Sequence, residues 1–403
     1  MTIQLDDSNQ TLGSLISDRI TGSFQQRITF AEYMDLVLYH PLHGYYASNA
    51  AVIGSKGDFF TSPHLGADFG ELLAEQFVQM WEMMQRPSPF TLVEMGAGQG
   101  LLALDLLRYL QRCHPEFLRS LDYLIVERAP AFRAEQQRQI NALSITDIHV
   151  RWCTLDEIPT DSITGCFFSN ELVDALPVHQ VVMASGQLQE VYVTANPDRG
   201  DDRQFGEVIG DLSTPRLATY FDLVNINLAS DRYPSPYRTE INLAALDWID
   251  AVADRLHRGY VLTIDYGYTS DRYYSPTRSQ GTLQCYYQHA HHSDPYIHVG
   301  RQDITAHVDF TALERQGEQR GLTSLGLTPQ GLFLMALGLG DRIAALSQST
   351  ATDTQVIQAM LRRRDALHLL INPMGLGNFG VLIQTKGLAS SESVYPLKGL
   401  SLP

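Results

Sequence analysis

Cysteine is scarce in this chain: four in 403 residues, at 113, 153, 166 and 285, none in C-x-x-C spacing. That pattern excludes a disulfide framework and a structural zinc site, and it fits reduced thiols in a cytosolic chain. Positive charge is also short, with 29 Lys and Arg against 45 Asp and Glu and a formal net charge of −16. Nucleic-acid affinity rests on clustered cations, so no phosphate-binding surface is expected. The one basic run, Arg362-Arg363-Arg364, meets Asp365 at once and reads as a solvated helix face. An acidic body suits a cationic partner better. The longest apolar run, around Gly331–Gly340, is far short of a membrane span, so no membrane insertion is expected. The first residues, Met1 to Asp7, have neither the basic and apolar regions of a secretory signal nor the Arg-rich character of a transit peptide. Cytoplasmic location is the resulting expectation.

What the chain does contain is strand–helix alternation. Thr29 and Glu32 form a capping-box pattern ahead of a short helix that ends before His40-Pro41. A loop rich in glycine and aromatics follows and closes on Gly57-Asp58-Phe59-Phe60-Thr61-Ser62-Pro63. Ser62 as N-cap and Pro63 at the first turn predict an amphipathic helix carrying Leu65, Phe69, Leu72, Leu73, Met80, Trp81 and Met84. Strands are predicted at 90–95, 121–127, 148–153 and 166–170, with helices at 101–111 and 131–141 between them. Residues 178–194 alternate like a hairpin, and 195–238 is polar and Pro-rich. A helix over 240–257 is expected to stop at Gly259, before a strand at 260–266. A Tyr/His-rich stretch runs to about 308, a helix follows at 310–320, and strands at 322–327 and 379–385 bracket a last helical region. Such alternation specifies a mostly parallel sheet covered by helices.

Glu94-Met95-Gly96-Ala97-Gly98-Gln99-Gly100 joins the first strand of that series to its helix. Its glycines permit a tight turn and close approach to a ligand. A dinucleotide fingerprint needs Gly-x-Gly-x-x-Gly, and Leu101 stands where its third glycine would be. A methionine-derived nucleoside carries no pyrophosphate and has no such need. Glu94 is placed to organise the loop and reach a ligand ammonium, and Glu127, ending the second strand, to accept both ribose hydroxyls. Taken alone, the glycines fit a tight turn and Glu127 a solvated strand-end charge. The ordered combination favours a ligand.

Ser169-Asn170-Glu171-Leu172-Val173-Asp174 follows the fourth strand, at the carboxyl edge where open α/β sheets bind ligands. Asn170 offers a carbonyl to a donor N–H, while Glu171 and Asp174 are candidate acids; a capping turn explains Asp174 equally well. Asp265-Tyr266-Gly267 ends the next strand, either as a site residue or as a strand terminator. His289, His291, His292 and His298 match no His-Glu-x-x-His or Cys/His pattern, so no metal is expected, and a polar aromatic lid is the functional reading of that stretch.

These motifs, in this order, resemble the MidA family, the mitochondrial complex I assembly protein arginine methyltransferases and their bacterial relatives. Gly281-Thr282-Leu283 and Asp303-Ile304-Thr305-Ala306-His307-Val308-Asp309 complete the matching set, which runs from about 29 to 385. The resemblance implies a Rossmann-like, seven-stranded class I methyltransferase sheet using S-adenosyl-L-methionine. It also implies an N-terminal helical extension and cofactor-covering loop over 1–62, a methyltransferase domain over 63–403, and inserted substrate or lid regions near 178–238 and 268–308. Thr61, Ser62, Glu94, Gly96, Gly98, Gln99, Gly100, Glu127 and Asn170 are then the cofactor candidates. Glu171 leads the catalytic candidates, followed by Asp174, Asp265 and Asp303. The implied acceptor is an arginine on a protein, in the mitochondrial members a core subunit of complex I. Two departures are visible: Gln99 stands where relatives often carry Arg, and no mitochondrial presequence is recognisable. The latter suits a bacterial relative acting on a related NADH or plastoquinone dehydrogenase subunit. A small-molecule O- or N-methyltransferase, a cofactor-binding assembly factor without turnover and an NAD-linked oxidoreductase are the competing classes.

Overall fold

A computed structural model describes residues 7–48, 61–143, 145, 148–195, 204–288, 290–348, 353–389, 392 and 396–401. The Gly57–Phe60 part of the N-terminal motif and His289 lie outside the described residues. The chain divides into two compact units: one of 1–59, 173–249 and 267–316, the other of 60–172, 250–266 and 317–403.

The second unit holds the main sheet. Its strands are β1 (Phe90–Met95), β2 (Leu121–Val126), β3 (His149–Cys153), β4 (Ile163–Asn170), β5 (Leu256–Asp265), β6 (Thr323–Pro329) and β7 (Gly380–Lys386). They lie side by side in the order β6-β7-β5-β4-β1-β2-β3. From β5 to β3 every pairing is parallel, and β7 runs antiparallel to both of its neighbours. This is the mostly parallel seven-stranded sheet that the alternation and the resemblance lead one to expect. Central β1 is buried along its whole length because a parallel strand covered on both faces needs an unbroken apolar surface. Helices α1 (Asp68–Met83), α2 (Leu101–Cys113) and α3 (Pro130–Asn141) follow the loop after Ser62, β1 and β2 respectively. Phe69, Leu73 and Phe77 of α1 and Leu102, Leu106 and Leu110 of α2 share one apolar core with Leu92, Tyr123, Phe168, Leu262 and Ile383 of the sheet.

Two local expectations need correction. Ser62 does not start the helix: Thr61 caps a single 3-10 turn over Ser62–Leu65, Gly66 follows at φ +133°, and α1 begins at Asp68. Gly259 is not a helix stop but lies inside β5 at φ +140°. A Cβ there would stand 1.8 Å from the Gly165 carbonyl oxygen, so the close approach of β5 to β4 requires the glycine.

In the first unit, Ile28–Thr29, Gln187–Ala195, His179–Ala184 and Tyr237–Ile241 pair in that order, with Phe205–Gly210 on Gln187–Ala195. The hairpin expected over 178–194 is present, and the polar, Pro-rich 195–238 region contributes the strand Phe205–Gly210, the helix Arg216–Leu223 and the start of Tyr237–Ile241. Gln284–Tyr287 pairs with Ala290–His292 and with Asp303–Thr305, so the Tyr/His-rich stretch is a small sheet. The helix Phe30–Tyr39 starts at Thr29, whose hydroxyl accepts the Glu32 amide at 3.1 Å. No described helix is long and apolar enough to cross a membrane.

Candidate functional site

The parallel register brings four strand ends to one edge: Met95 faces Val126 and Ser169, and Asn170 faces Ile264. Glu94, the glycine loop, Glu127, Asn170, Glu171 and Asp265 therefore gather along the carboxyl edge of the second unit. Asp174 and Asp303 belong to the other unit.

Gly96, Gly98 and Gly100 have φ of +71°, +53° and +78°. In that region a side chain is strained. A Cβ on Gly96 would meet Leu172 Cδ1 at 2.7 Å and one on Gly100 would meet Gln136 Cγ at 3.0 Å, whereas one on Gly98 would point into open space. The loop thus packs down at its two ends and leaves its middle approachable. Gln99 Oε1 lies 3.3 Å from His64 Nε2, and His64 Nδ1 lies 2.7 Å from the Thr61 hydroxyl, which ties Thr61 to the loop. Ser62 points elsewhere: it is wholly buried and its hydroxyl donates to Gln330.

Glu94 is buried, with the Tyr123 phenol donating to its Oε2 at 2.6 Å. Burial pushes its carboxyl up to about 7; the Tyr123 hydrogen bond opposes this and the Glu127 charge adds to it. Burial also raises the Glu127 carboxyl, against hydrogen bonds from the backbone of Ala129, the Gln136 amide and the backbone amides of Arg128 and Gly98. The Ala129 amide donates to Glu127 Oε1 at 2.9 Å and the Gln136 amide to Oε2 at 3.2 Å. Both acids thus sit among neutral donors, where a cation or a hydroxylated ligand gains most.

Glu171 holds φ +53° immediately after β4, and its amide donates to the Ile264 carbonyl at 2.9 Å. A non-glycine residue in this conformation costs of order 1–3 kcal/mol and persists only where its surroundings fix it. The Asn170 Nδ2 donates to Glu171 Oε1 at 3.2 Å. The Asn170 Oδ1 is buried, and among the described residues nothing donates a hydrogen bond to it. Buried acceptors are normally satisfied, and an ammonium or amino N–H has the chemistry to do so. Asp265 is fully buried and its Oδ1 accepts the amide of Tyr266 at 2.9 Å.

In the first unit, the Tyr46 phenol donates to Asp303 Oδ1 at 2.9 Å, and burial, with Asp303, Tyr39 and Asp174 nearby, pushes its pKa well up. The Asp174 carbonyl accepts from Ala306 at 2.9 Å. His298 stacks on Tyr287 at 4.0 Å and bonds Asp7 at 2.9 Å. Among the described residues no three His, Cys, Asp or Glu converge as metal ligands.

A family model for S-adenosyl-L-methionine-dependent methyltransferases matches residues 72–328. The chain belongs to this methyltransferase family. The Drosophila melanogaster protein arginine methyltransferase NDUFAF7 homolog is 31% identical over 93% of this chain and 85% of its own length. Human NDUFAF7 is 29% identical over 88% and 80%. Among solved structures, a methyltransferase-like protein of Burkholderia thailandensis bound to S-adenosyl-homocysteine is 30% identical and superposes with a TM-score of 0.80, covering 97% of this chain and 95% of that one. The cofactor of the family is S-adenosyl-L-methionine, and the edge residues fit it: an approachable glycine turn, two acids with neutral donors and the orphaned Asn170 carbonyl.

The expectation of a cytoplasmic protein is overturned, because the fly, rat and human relatives are mitochondrial proteins by name. Scarce cysteines in no C-x-x-C spacing and an acidic charge balance do not distinguish one reducing compartment from another. Sequence reasoning also passed over Tyr123, His64, Gln136 and Trp152. For Gln136 a signal existed: it interrupts the buried helical stripe Phe132–Gln136–Ile140.

Proposed function

We propose that this methyltransferase modifies an arginine side chain of a protein, with Glu171 as the carboxylate that orients the acceptor. The observation that carries this reading is the Asn170–Glu171 pair, a strained residue held at the cofactor edge by its neighbour's amide. The relatives named as protein arginine methyltransferases support the acceptor class. In this reading Glu94 binds the ammonium of the cofactor, the glycine loop receives its methionine portion, Glu127 binds the ribose hydroxyls, and Asn170 Oδ1 accepts a ligand N–H.

S-adenosyl-L-methionine supplies an electrophilic methyl group on a sulfonium. Guanidinium and sulfonium repel each other by about 4 kcal/mol at about 4 Å and an effective dielectric near 20. Glu171 offsets that repulsion, aims one guanidinium nitrogen and leaves the proton lost after transfer a nearby acceptor. Asp174, Asp265 and Asp303 follow it as candidate acids; the buried Asp265 carboxylate, turned onto Tyr266 N–H, serves best by holding the strand end in shape.

The acceptor that the MidA resemblance implies is a subunit of an NADH or plastoquinone dehydrogenase-like complex. Mass spectrometry of that subunit from cells with and without this protein tests it: arginine methylation present only with the protein supports the reading, and identical patterns sink the substrate. Transfer of labelled methyl to a small metabolite in a lysate sinks the arginine reading. Cofactor binding with no transfer to anything leaves an assembly factor instead.

A further inference from the structure

We infer that Gln136 is a positioning residue that locks the glycine loop and Glu127 together in the cofactor-binding conformation. This rests on the reading that the loop holds S-adenosyl-L-methionine.

Gly98 poses the problem that Gln136 solves. Its φ is +53° and none of the described residues lies within 4 Å of where its Cβ would be, so no steric contact among them fixes it at that position. Glycine reverses the sign of φ at little cost. Hydrogen bonds must therefore hold the peptide. Gln136 Nε2 donates to the Gly98 carbonyl at 2.7 Å, and the Gly98 amide points to the Glu127 carboxylate. The same Nε2 donates to Glu127 Oε2 at 3.2 Å. One side chain thus closes a ring through Gly98 and Glu127.

The orientation of the Gln136 amide is itself fixed. Trp152 Nε1, on β3, donates to Gln136 Oε1 at 2.9 Å. An indole N–H can only donate, so it keeps the amide oxygen towards β3 and the NH2 towards the loop. Gln136 is wholly buried on α3, beneath Gly100. One turn on, Gln139 Nε2 reaches the Gln99 carbonyl at 3.4 Å. An apolar side chain would fill this stripe as well as glutamine does. Fixing the loop is what an apolar residue cannot do.

The test is calorimetric S-adenosyl-L-methionine binding by the full chain, its variants checked for folding by circular dichroism. Gln136→Ala should weaken binding about tenfold to a hundredfold, the scale of a lost hydrogen bond to a charged group plus an unpaired partner. At saturating cofactor its kcat should stay near the parent's, a split that general destabilisation would not produce. Gln136→Glu should bind more weakly still, because it turns a carboxylate onto Glu127 and the Gly98 carbonyl. Trp152→Phe should lose several-fold alone and nothing further in the Gln136→Ala background, since both act through one amide. A folded Gln136→Ala with parental affinity overturns the proposal, as do fully additive losses. If neither Gln136 variant folds, parental affinity in Trp152→Phe overturns it. A folded parent that binds no S-adenosyl-L-methionine overturns instead the reading of the loop.

Discussion

Replacing Glu94 by glutamine separates what this acid costs the fold from what it gives the ligand. The Glu94 carboxyl is raised from an ordinary 4.5 to about 7, chiefly by burial. Its folded form therefore binds a proton more tightly than its unfolded form. Below about pH 4.5 both states are protonated and Glu94 costs nothing. Between 4.5 and 7 the folded state holds the extra proton, so stability falls as pH rises, and above 7 the full cost is present. Raising the carboxyl from 4.5 to about 7 costs, at about 1.4 kcal/mol per tenfold change in proton affinity, about 3.5 kcal/mol. Glutamine keeps an oxygen for the Tyr123 phenol and has no charge to bury. Its own packing differences do not titrate.

Urea unfolding of parent and Glu94→Gln at pH 5 and pH 8 should thus show the variant gaining about 2.5 kcal/mol on the parent between the two conditions, since part of the cost is already present at pH 5. S-adenosyl-L-methionine affinity should move oppositely: stronger in the parent as Glu94 ionises, weaker and flatter with pH in the variant. A stability difference that is the same at pH 5 and pH 8 would refute the burial argument. An unchanged affinity would remove Glu94 from the cofactor site while leaving that argument intact.

Gly98→Val forces a β-branched residue to φ +53° and fills the open space above the loop; calorimetry should detect no S-adenosyl-L-methionine binding, with the parent binding it and ignoring NAD. Glu127→Ala should weaken cofactor binding by about 1.5–3 kcal/mol, or about ten- to a hundredfold; parental affinity in a folded variant excludes the ribose role. Glu171→Gln keeps shape but loses charge, so methyl transfer should fall about 10²–10³-fold with cofactor affinity nearly unchanged; normal turnover would dismiss Glu171 as the orienting carboxylate. Arg342→Ala removes one of the two guanidinium groups on buried Asp68 and, because Arg363 still pairs the carboxylate, should cost about 1.5–3 kcal/mol in unfolding experiments, the scale of hydrogen bonds to a charged group, without altering cofactor affinity; a matching loss of affinity would show that this ion pair serves the site.

Much of the sheet was legible because its central strands are largely buried apolar runs of ordinary length. β1 falls on Phe90–Met95, where the pattern puts it, and its neighbours are displaced by a residue or a few. Legibility failed where tertiary pairing, not periodicity, makes the structure. Phe205–Gly210 leaves Val208 and Ile209 exposed, so it shows no alternation and exists as a strand through its pairing with Gln187–Ala195. Gly259 carries two possible meanings in sequence, helix end or close approach, and only the Gly165 carbonyl beside it chooses between them. In the site, the acids and glycines could be named because strand-end position already specifies their chemistry. The neutral partners could not, since Tyr123, Gln136 and Trp152 act through contacts with residues 9–38 positions away.

Those neutral partners bear on why the edge suits a cation. Asp68, a carboxylate this unit buries for structure, is met by guanidinium: it takes Arg342 and Arg363, and their hydrogen bonds and charge hold its carboxyl below the ordinary range despite burial. Glu94 and Glu127 are treated differently. A phenol, an amide side chain and backbone N–H groups meet them, and burial leaves both raised. Neutral donors orient a carboxylate without neutralising it, so part of its desolvation cost stays unrecovered in the free protein. A ligand with a positive charge recovers that cost on binding and an uncharged analogue of equal shape does not. S-adenosyl-homocysteine keeps the ammonium and lacks the sulfonium. It should therefore still draw on Glu94, and deleting its ammonium should cost more affinity than deleting the methyl group. If the deaminated analogue binds this methyltransferase as tightly as S-adenosyl-homocysteine, the unpaired charge of Glu94 serves something other than the cofactor.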